Sequence, residues 1–360
     1  MKTVRTLAAG LAMSLMAATL AAQETHPIRM PNMQGHYLQS EIMDYKYGIY
    51  ITLPEGYAEQ PDRHYPTVYI IDGNQYYGFT GEPYGSLIWG NMVKEHISVS
   101  VAYTAEGGNN RGSDFSPDRR APDFVRFFRE ELIPFVEANY RTTARADRTL
   151  YGHSAGGRFT FFTLFSATDL FENYILSAPS VRQVIFDLEE EYAANHEDLP
   201  VTVYIASGED DNLTIYTRMM EARLHDRKYS GLRMDSLYTP NGNHGTIQPT
   251  AYIEGLRYVL DPALDLVPAA YQRLVGSYRY DGGIFRISYE GGNYLRFGGV
   301  PIRANGTPVT EYQKLYARSE NEFFPKGRPG IFRFGGDPGQ AAESFSFSFE
   351  GQDIVATRTD

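Results

Sequence analysis

The 360 residues carry a formal net charge of −11 and a pI near 5.3, which argues against the basic patch that a nucleic-acid or anionic-membrane partner requires. An apolar fraction of 42 %, with 28 Tyr and 21 Phe, excludes a disordered chain. The absence of cysteine excludes disulfide staples, thiol nucleophiles and thiolate metal sites.

In chain order, Lys2 and Arg5 precede an apolar run from Leu7 to Leu20, and Ala21 and Ala22 offer small residues for cleavage. This predicts a secretory signal peptide over 1–22 and an exported protein, periplasmic or secreted, starting near Gln23. No later segment reaches the ~18 to 20 consecutive apolar residues of a membrane span, so no membrane insertion is expected after cleavage.

From about residue 45 to 260, short β-branched or aromatic runs alternate with longer helical patterns, which predicts α/β architecture. Strands are expected at 47–54, 67–72, 97–103, 148–153, 173–180 and 201–207, several of them apolar on both faces as buried parallel strands are. Over 121–140, Phe124, Phe127, Phe128, Leu132, Phe135 and Val136 recur at helical spacing. Further helices are expected over 157–167, 212–229 and 250–260.

The texture changes at "DPALDLVP" (261–268), so the spacing predicts two domains after the leader, one over 23–262 and one over 269–360. The second consists of short alternating runs punctuated by Gly-Gly, Asn-Gly and Pro-Gly turns, which predicts a small all-β meander or barrel. Its aromatics are expected to be mostly core rather than a sugar-binding platform. The single tryptophan, Trp89, lies outside it.

The segment "LYGHSAGGRF" (150–159) places Ser154 after an expected strand and before an expected helix, between small residues. Strand, sharp turn and helix is the order a nucleophile elbow needs, because the serine there adopts a strained backbone that bulky neighbours would block. A serine hydroxyl at neutral pH needs a base. The histidine is expected after the acid in chain order, and of the two that lie late enough, His225 falls within a helical pattern on its solvated face, whereas His244 lies in the loop "TPNGNHGT", so His244 is the expected base.

An acid to hold the imidazole is expected just past the preceding strand, where "SGEDD" supplies Glu209, Asp210 and Asp211. The strand-Gly-x-x-Asp pattern favours Asp211, with Glu209 as the alternative. Oxyanion donors are expected at the N–H of Ala155 and at the turn in "IDGNQYY", from Asn74 or, next, Gln75.

Taken in order, "YITLPEGY", "YPTVYIIDGN", "FFREELIPFVEANYRT", "LYGHSAGGRF", "LFENYILSAPS" and "SGEDD" resemble the Putative esterase family of α/β-hydrolases over roughly 35–260. That family includes esterase-D-like enzymes, feruloyl and acetyl-xylan esterases, and enterobactin-type siderophore esterases. The resemblance implies ester hydrolysis through an acyl-enzyme on Ser154 with His244 as base, and it implies no cofactor and no metal. It also singles out "NNRGSDFSP" (109–117), where Arg111 is either a contact for a polar or anionic substrate or a solvated loop residue.

The expected partner is a small-molecule or glycan-linked ester, with feruloyl or acetyl esters of carbohydrate first, a siderophore trilactone second and a simple carboxylic ester third. A non-catalytic protein that binds a glycan or partner on a hydrolase fold is the competing class. The region after about 269 resembles, more weakly, small β-rich domains that follow some serine-hydrolase and penicillin-recognising domains.

Overall fold

The computed structural model describes residues 32–75, 82–104, 110–299, 313–337, 339–349 and 352–359, and the leader expected over 1–22 lies outside them. Residues from Asn32 onward form one compact unit. Its first part is built on β1 (Met33–Ser40), β2 (Tyr45–Thr52), β3 (Thr67–Ile71), helix α1 (Glu82–Trp89), β4 (Ile97–Thr104), α2 (121–139), β5 (Thr149–His153), α3 (Ala155–Ser166), β6 (Asn173–Ser177), α4 (Gln183–Asn195), β7 (Thr202–Gly208), α5 (Thr214–Arg227), β8 (Arg233–Thr239) and α6 (Ile247–Val259).

The eight strands form one sheet in the order β1-β2-β4-β3-β5-β6-β7-β8. The β1/β2 and β2/β4 pairs are antiparallel, and every pair from β4 to β8 is parallel. The strands β3, β5, β6 and β7 are buried along their whole length. Parallel strands covered by helices on both faces have this all-apolar character, and the sequence pattern carried it.

One face packs the larger core. There Phe124, Phe127, Phe128, Leu132 and Val136 of α2 are buried as their spacing predicts, while Phe135 is half-buried against the cluster. Phe124 and Phe128 meet Phe159 of α3 at ring-centroid distances of 5.0 and 6.0 Å. Such pairs add about 0.5–1.5 kcal/mol each beyond the burial itself.

Helix α2 is not uniform: Ala121–Phe127 and Ile133–Asn139 are α-helical, with a π turn at Phe128–Leu132 between them. Pro134 stands at the start of the later segment, and a proline's missing N–H and ring bulk are a standard cause of such a break. The other face packs α1 and α6 against β3, β5, β6 and β7 around Tyr151, Ile175, Tyr252 and Leu256.

The edge strands β1 and β8 and the helices α1 and α4 stand outside the expected elements. The burial pattern of β8 is polar and half-exposed, so it lacks the apolar run that marks its neighbours. Trp89 ends α1 at 65 % exposure.

A one-turn helix, Pro268–Gln272, leads into a second layer. Strands β9 (Gly276–Tyr280), β10 (Gly283–Ser288), β11 (Tyr294–Gly299), β12 (Gln313–Ala317), β13 (Glu322–Phe324), β14 (Phe332–Gly335), β15 (Ser344–Phe349) and β16 (Gln352–Arg358) pair antiparallel and close into a barrel, β16 returning to β9. Alternate residues point inward: Phe285, Leu295, Leu315, Phe323, Phe332, Phe334 and Phe345 fill it. The aromatics of this region are therefore mostly core, as the alternation implied, with Tyr280, Tyr289, Phe297 and Phe347 half-buried against it.

Candidate active site

The carboxyl ends of β3, β5, β7 and β8 converge on one edge of the sheet. At the end of β5, Ser154 adopts φ 58 and ψ −116 at the mouth of α3. This left-handed region is strained for a non-glycine residue and is held only where surroundings force it. Here the Ser154 N–H donates to the Ser177 carbonyl at 2.9 Å, and the Ser154 carbonyl accepts from Arg158 and Ser180 at 3.0 and 2.8 Å.

The flanking glycine is required by space. A Cβ on Gly152 would stand 2.4 Å from the Gly156 carbonyl oxygen and from Thr160 Oγ1. The turn can therefore be this sharp only because residue 152 has no side chain.

The loops after β7 and β8 are tied together by backbone hydrogen bonds, Glu209 N–H to the Thr239 carbonyl at 3.1 Å and Asp210 N–H to the Gly242 carbonyl at 2.8 Å. Asn243 Oδ1 accepts the N–H groups of Gly245 and Thr246, which shapes the loop around His244. The outcome is a direct pair: His244 Nδ1 donates to Asp211 Oδ2 at 2.7 Å. The Asp211 side chain is almost fully buried, and its Oδ1 accepts the Leu213 N–H at 2.9 Å.

The other carboxylates of the cluster are elsewhere. Glu209 is exposed and faces Arg218 at 3.6 Å, and Asp210 is exposed. His225 is also exposed, on α5, 3.9 Å from Glu221. Of the carboxylates weighed in the sequence, only Asp211 meets the His244 ring among the described residues.

The ring of His244 packs against that of His153, the residue before Ser154, with centroids 4.7 Å apart. This contact brings the imidazole to the serine elbow. His153 shares a 3.0 Å hydrogen bond with Ser177 Oγ. Burial first, then the neighbouring His244 and Arg111, push its pKa down to about 3, so the ring packed on His244 is neutral at ordinary pH.

At the end of β3, Asp72 takes φ 63 and leads into a tight turn at Gly73–Gln75. A Cβ on Gly73 would stand 2.7–2.9 Å from Ser100 and the Val101 nitrogen, so only glycine allows the turn to lie so close to β4. Asn74 is exposed in this turn, Ala155 is half-buried at the start of α3, and Gln75 ends the turn.

Arg111 is half-buried, and its Nε edge is engaged within the protein. Its Nε donates to Asp72 Oδ1 and Oδ2 at 3.0 and 2.9 Å, and its Nη2 donates to the His153 carbonyl at 3.2 Å. One guanidinium thus joins the turn after β3 to the elbow after β5. Sequence reasoning passed over Asp72 and His153; the available signals were a lone carboxylate ending an apolar strand and the residue inside Gly-His-Ser.

Among the described residues no group of three or more His, Asp or Glu is arranged to hold a metal ion, and no helix is long and apolar enough to cross a membrane.

Residues 40–243 match the family model described as Putative esterase. The chain is 25% identical to ferri-bacillibactin esterase BesA of Bacillus subtilis (strain 168) over 266 residues, 65% of this chain and 91% of that protein. The solved BES protein from Bacillus cereus is similar at TM-score 0.60 and 26% identity, covering 66% of this chain and 99% of its own. A solved ferulic acid esterase shares the fold at TM-score 0.52 and 19% identity, covering 63% of this chain and 97% of its own.

Proposed function

Because the chain belongs to the Putative esterase family, we propose that it is a serine ester hydrolase with Ser154 as nucleophile, His244 as general base and Asp211 as the acid that orients it. The observation that carries this reading is the 2.7 Å His244–Asp211 bond beside a serine held at φ 58.

With Nδ1–H committed to the buried carboxylate, His244 presents Nε2 as the proton acceptor. It takes the Ser154 proton as Oγ attacks the ester carbonyl, and returns it to the leaving alkoxide. Water then attacks the acyl-enzyme by the same route. The developing oxyanion is met by the N–H of Ala155 and an N–H of the Gly73–Gln75 turn, Asn74 before Gln75. No step calls for a metal or cofactor.

For substrate we propose the ester bonds of a siderophore lactone. The reading is supported by the ferri-bacillibactin esterase relative, nine-tenths of whose length the chain matches. A feruloyl or acetyl ester of a carbohydrate, the first expectation from sequence, is the second reading; its structural neighbour is 19% identical and supports it through fold. Export through the 1–22 leader belongs to the same proposal.

Intact-mass analysis after exposure to a fluorophosphonate tests the chemistry. One adduct on the wild type, and none on Ser154→Ala or His244→Ala, is expected. A folded wild type that takes no adduct would overturn the catalytic reading in favour of a binding protein. Initial rates on a catecholate trilactone, a feruloyl ester and 4-nitrophenyl acetate then rank the substrates.

A further inference from the structure

Between α4 and α5 runs a groove of about 960 Å³ whose lining includes Ser180 and Leu213. These two residues are bonded to the catalytic groups: the Ser180 N–H donates to the Ser154 carbonyl at 2.8 Å, and the Leu213 N–H donates to Asp211 Oδ1 at 2.9 Å. The groove therefore adjoins the Ser154 turn through its backbone and the Asp211 loop, and its volume is that of a drug-sized ligand site.

Its walls are unlike an ordinary helix surface. Tyr216 and Met219 of α5 line it at 46 % and 52 % exposure, while Phe186 of α4 is buried beneath. Large apolar side chains held open to water beside a reaction centre mark a ligand surface.

The charges in the groove are not equivalent. Arg223 and Arg227 are neutralised by Glu189 and Glu190. Arg182, at the end near Ser154, is exposed and has no carboxylate partner among the described residues. It lies close enough to Arg158 to push that buried guanidinium's pKa down, after burial itself; Asp118 opposes the shift and Arg111 adds to it. The end of the groove next to the nucleophile is thus locally positive within a chain of net charge −11.

Resting on the esterase reading above, we propose that this groove is a substrate subsite that takes an aromatic arm of the ester, packing the ring on Tyr216 and Met219 and meeting its acidic hydroxyl or anionic groups with Arg182. The subsite selects large aryl esters over short acyl esters, which reach Ser154 without entering it.

The test separates binding from chemistry. Calorimetric titration of a trilactone bearing three dihydroxybenzoyl arms into Ser154→Ala gives the parent Kd without hydrolysis. Adding Met219→Glu, or separately Tyr216→Ala, is expected to weaken binding about tenfold. Arg182→Gln is expected to weaken it by a similar factor for dihydroxybenzoyl arms and not for unsubstituted benzoyl arms.

In the Ser154 background, the same three substitutions are expected to leave fluorophosphonate labelling and 4-nitrophenyl acetate turnover at wild-type values. Absence of saturable binding to the Ser154→Ala parent, or a Kd unmoved by all three, would overturn the subsite while leaving the catalytic reading intact. Loss of labelling in the wild type would overturn the catalytic reading alone.

Discussion

At the carboxyl ends of the parallel strands, the chain leaves polar groups under strain or partly open: Ser154 and Asp72 at positive φ, and a His244 side chain 39 % exposed. At the amino ends, the segments before β3, β4 and β5 face the barrel. There Gly327 N–H donates to the Gly90 carbonyl at 2.7 Å and Leu264 N–H to the Ala317 carbonyl at 2.8 Å, and Lys326 reaches Asp261 at 2.6 Å. A cavity of about 510 Å³ between them is lined by Pro66, Lys94, Glu95 and Asp147, from just before β3, β4 and β5, and by Arg318 and Phe324 of the barrel. The contrast teaches that one sheet separates two tasks by direction: the proposed chemistry lies where strands end, as ligand sites of open α/β sheets do, and the barrel docks where they begin.

This division is broken or sharpened most strongly by Asp211→Asn, which leaves His244 in the wrong tautomer and is expected to cost about 10⁴-fold in kcat with folding unchanged. Steady-state rates on 4-nitrophenyl acetate decide it, and a loss under tenfold would remove Asp211 from the triad. Arg111→Ala is expected to cost about 3–5 kcal/mol, because it removes the guanidinium that neutralises the fully buried Asp72 carboxylate. Urea unfolding reads this, and the further change Asp72→Asn should recover part of the loss.

Phe332→Ala, in the barrel core at 2 % exposure, is expected to cost a comparable 3–5 kcal/mol or so while sparing the rate on a small ester. A fall in that rate matching the Asp211 variant would tie the barrel to the chemistry and dissolve the contrast.

The smallest effect is graded with pH, and each end of the sheet contributes one group. Burial holds His96, before β4, down to about 4 and His153, at the elbow, down to about 3; unfolded, both protonate near 6.5. Between these values the unfolded chain binds more protons, so stability falls as pH drops below about 6.5 and this loss is complete near pH 3. Asp114, whose carboxyl burial pushes up, opposes the trend. Urea midpoints at pH 7 and 4.5 should differ in the stated direction, and His153→Gln should reduce the difference.

The sequence made the central strands and Ser154 legible because burial on both faces and a five-residue steric demand each leave a local imprint. Strand β8 left only the short alternation "RMDSLY", since its faces are half-exposed. Asp211 and Glu209 were separable only by a turn pattern, and what distinguishes them in the fold is burial against His244. Arg111 illustrates the harder case: its partners Asp72 and His153 lie at the ends of β3 and β5, so its bracing contact exists only once the sheet has formed.

The barrel's closure has a further consequence for how the chain reaches its fold. Every neighbouring pair in the barrel joins consecutive strands except the seam, where Thr357 of β16 meets Arg279 of β9. Hairpins close quickly because little chain entropy is lost, whereas the seam spans the whole domain. During synthesis β9 thus waits, with a bare edge, for the last strand to be made. A stop codon or protease cut before β16 would leave two unpaired edges, a template for aggregation, so the integrity of the barrel depends on the strand that closes it.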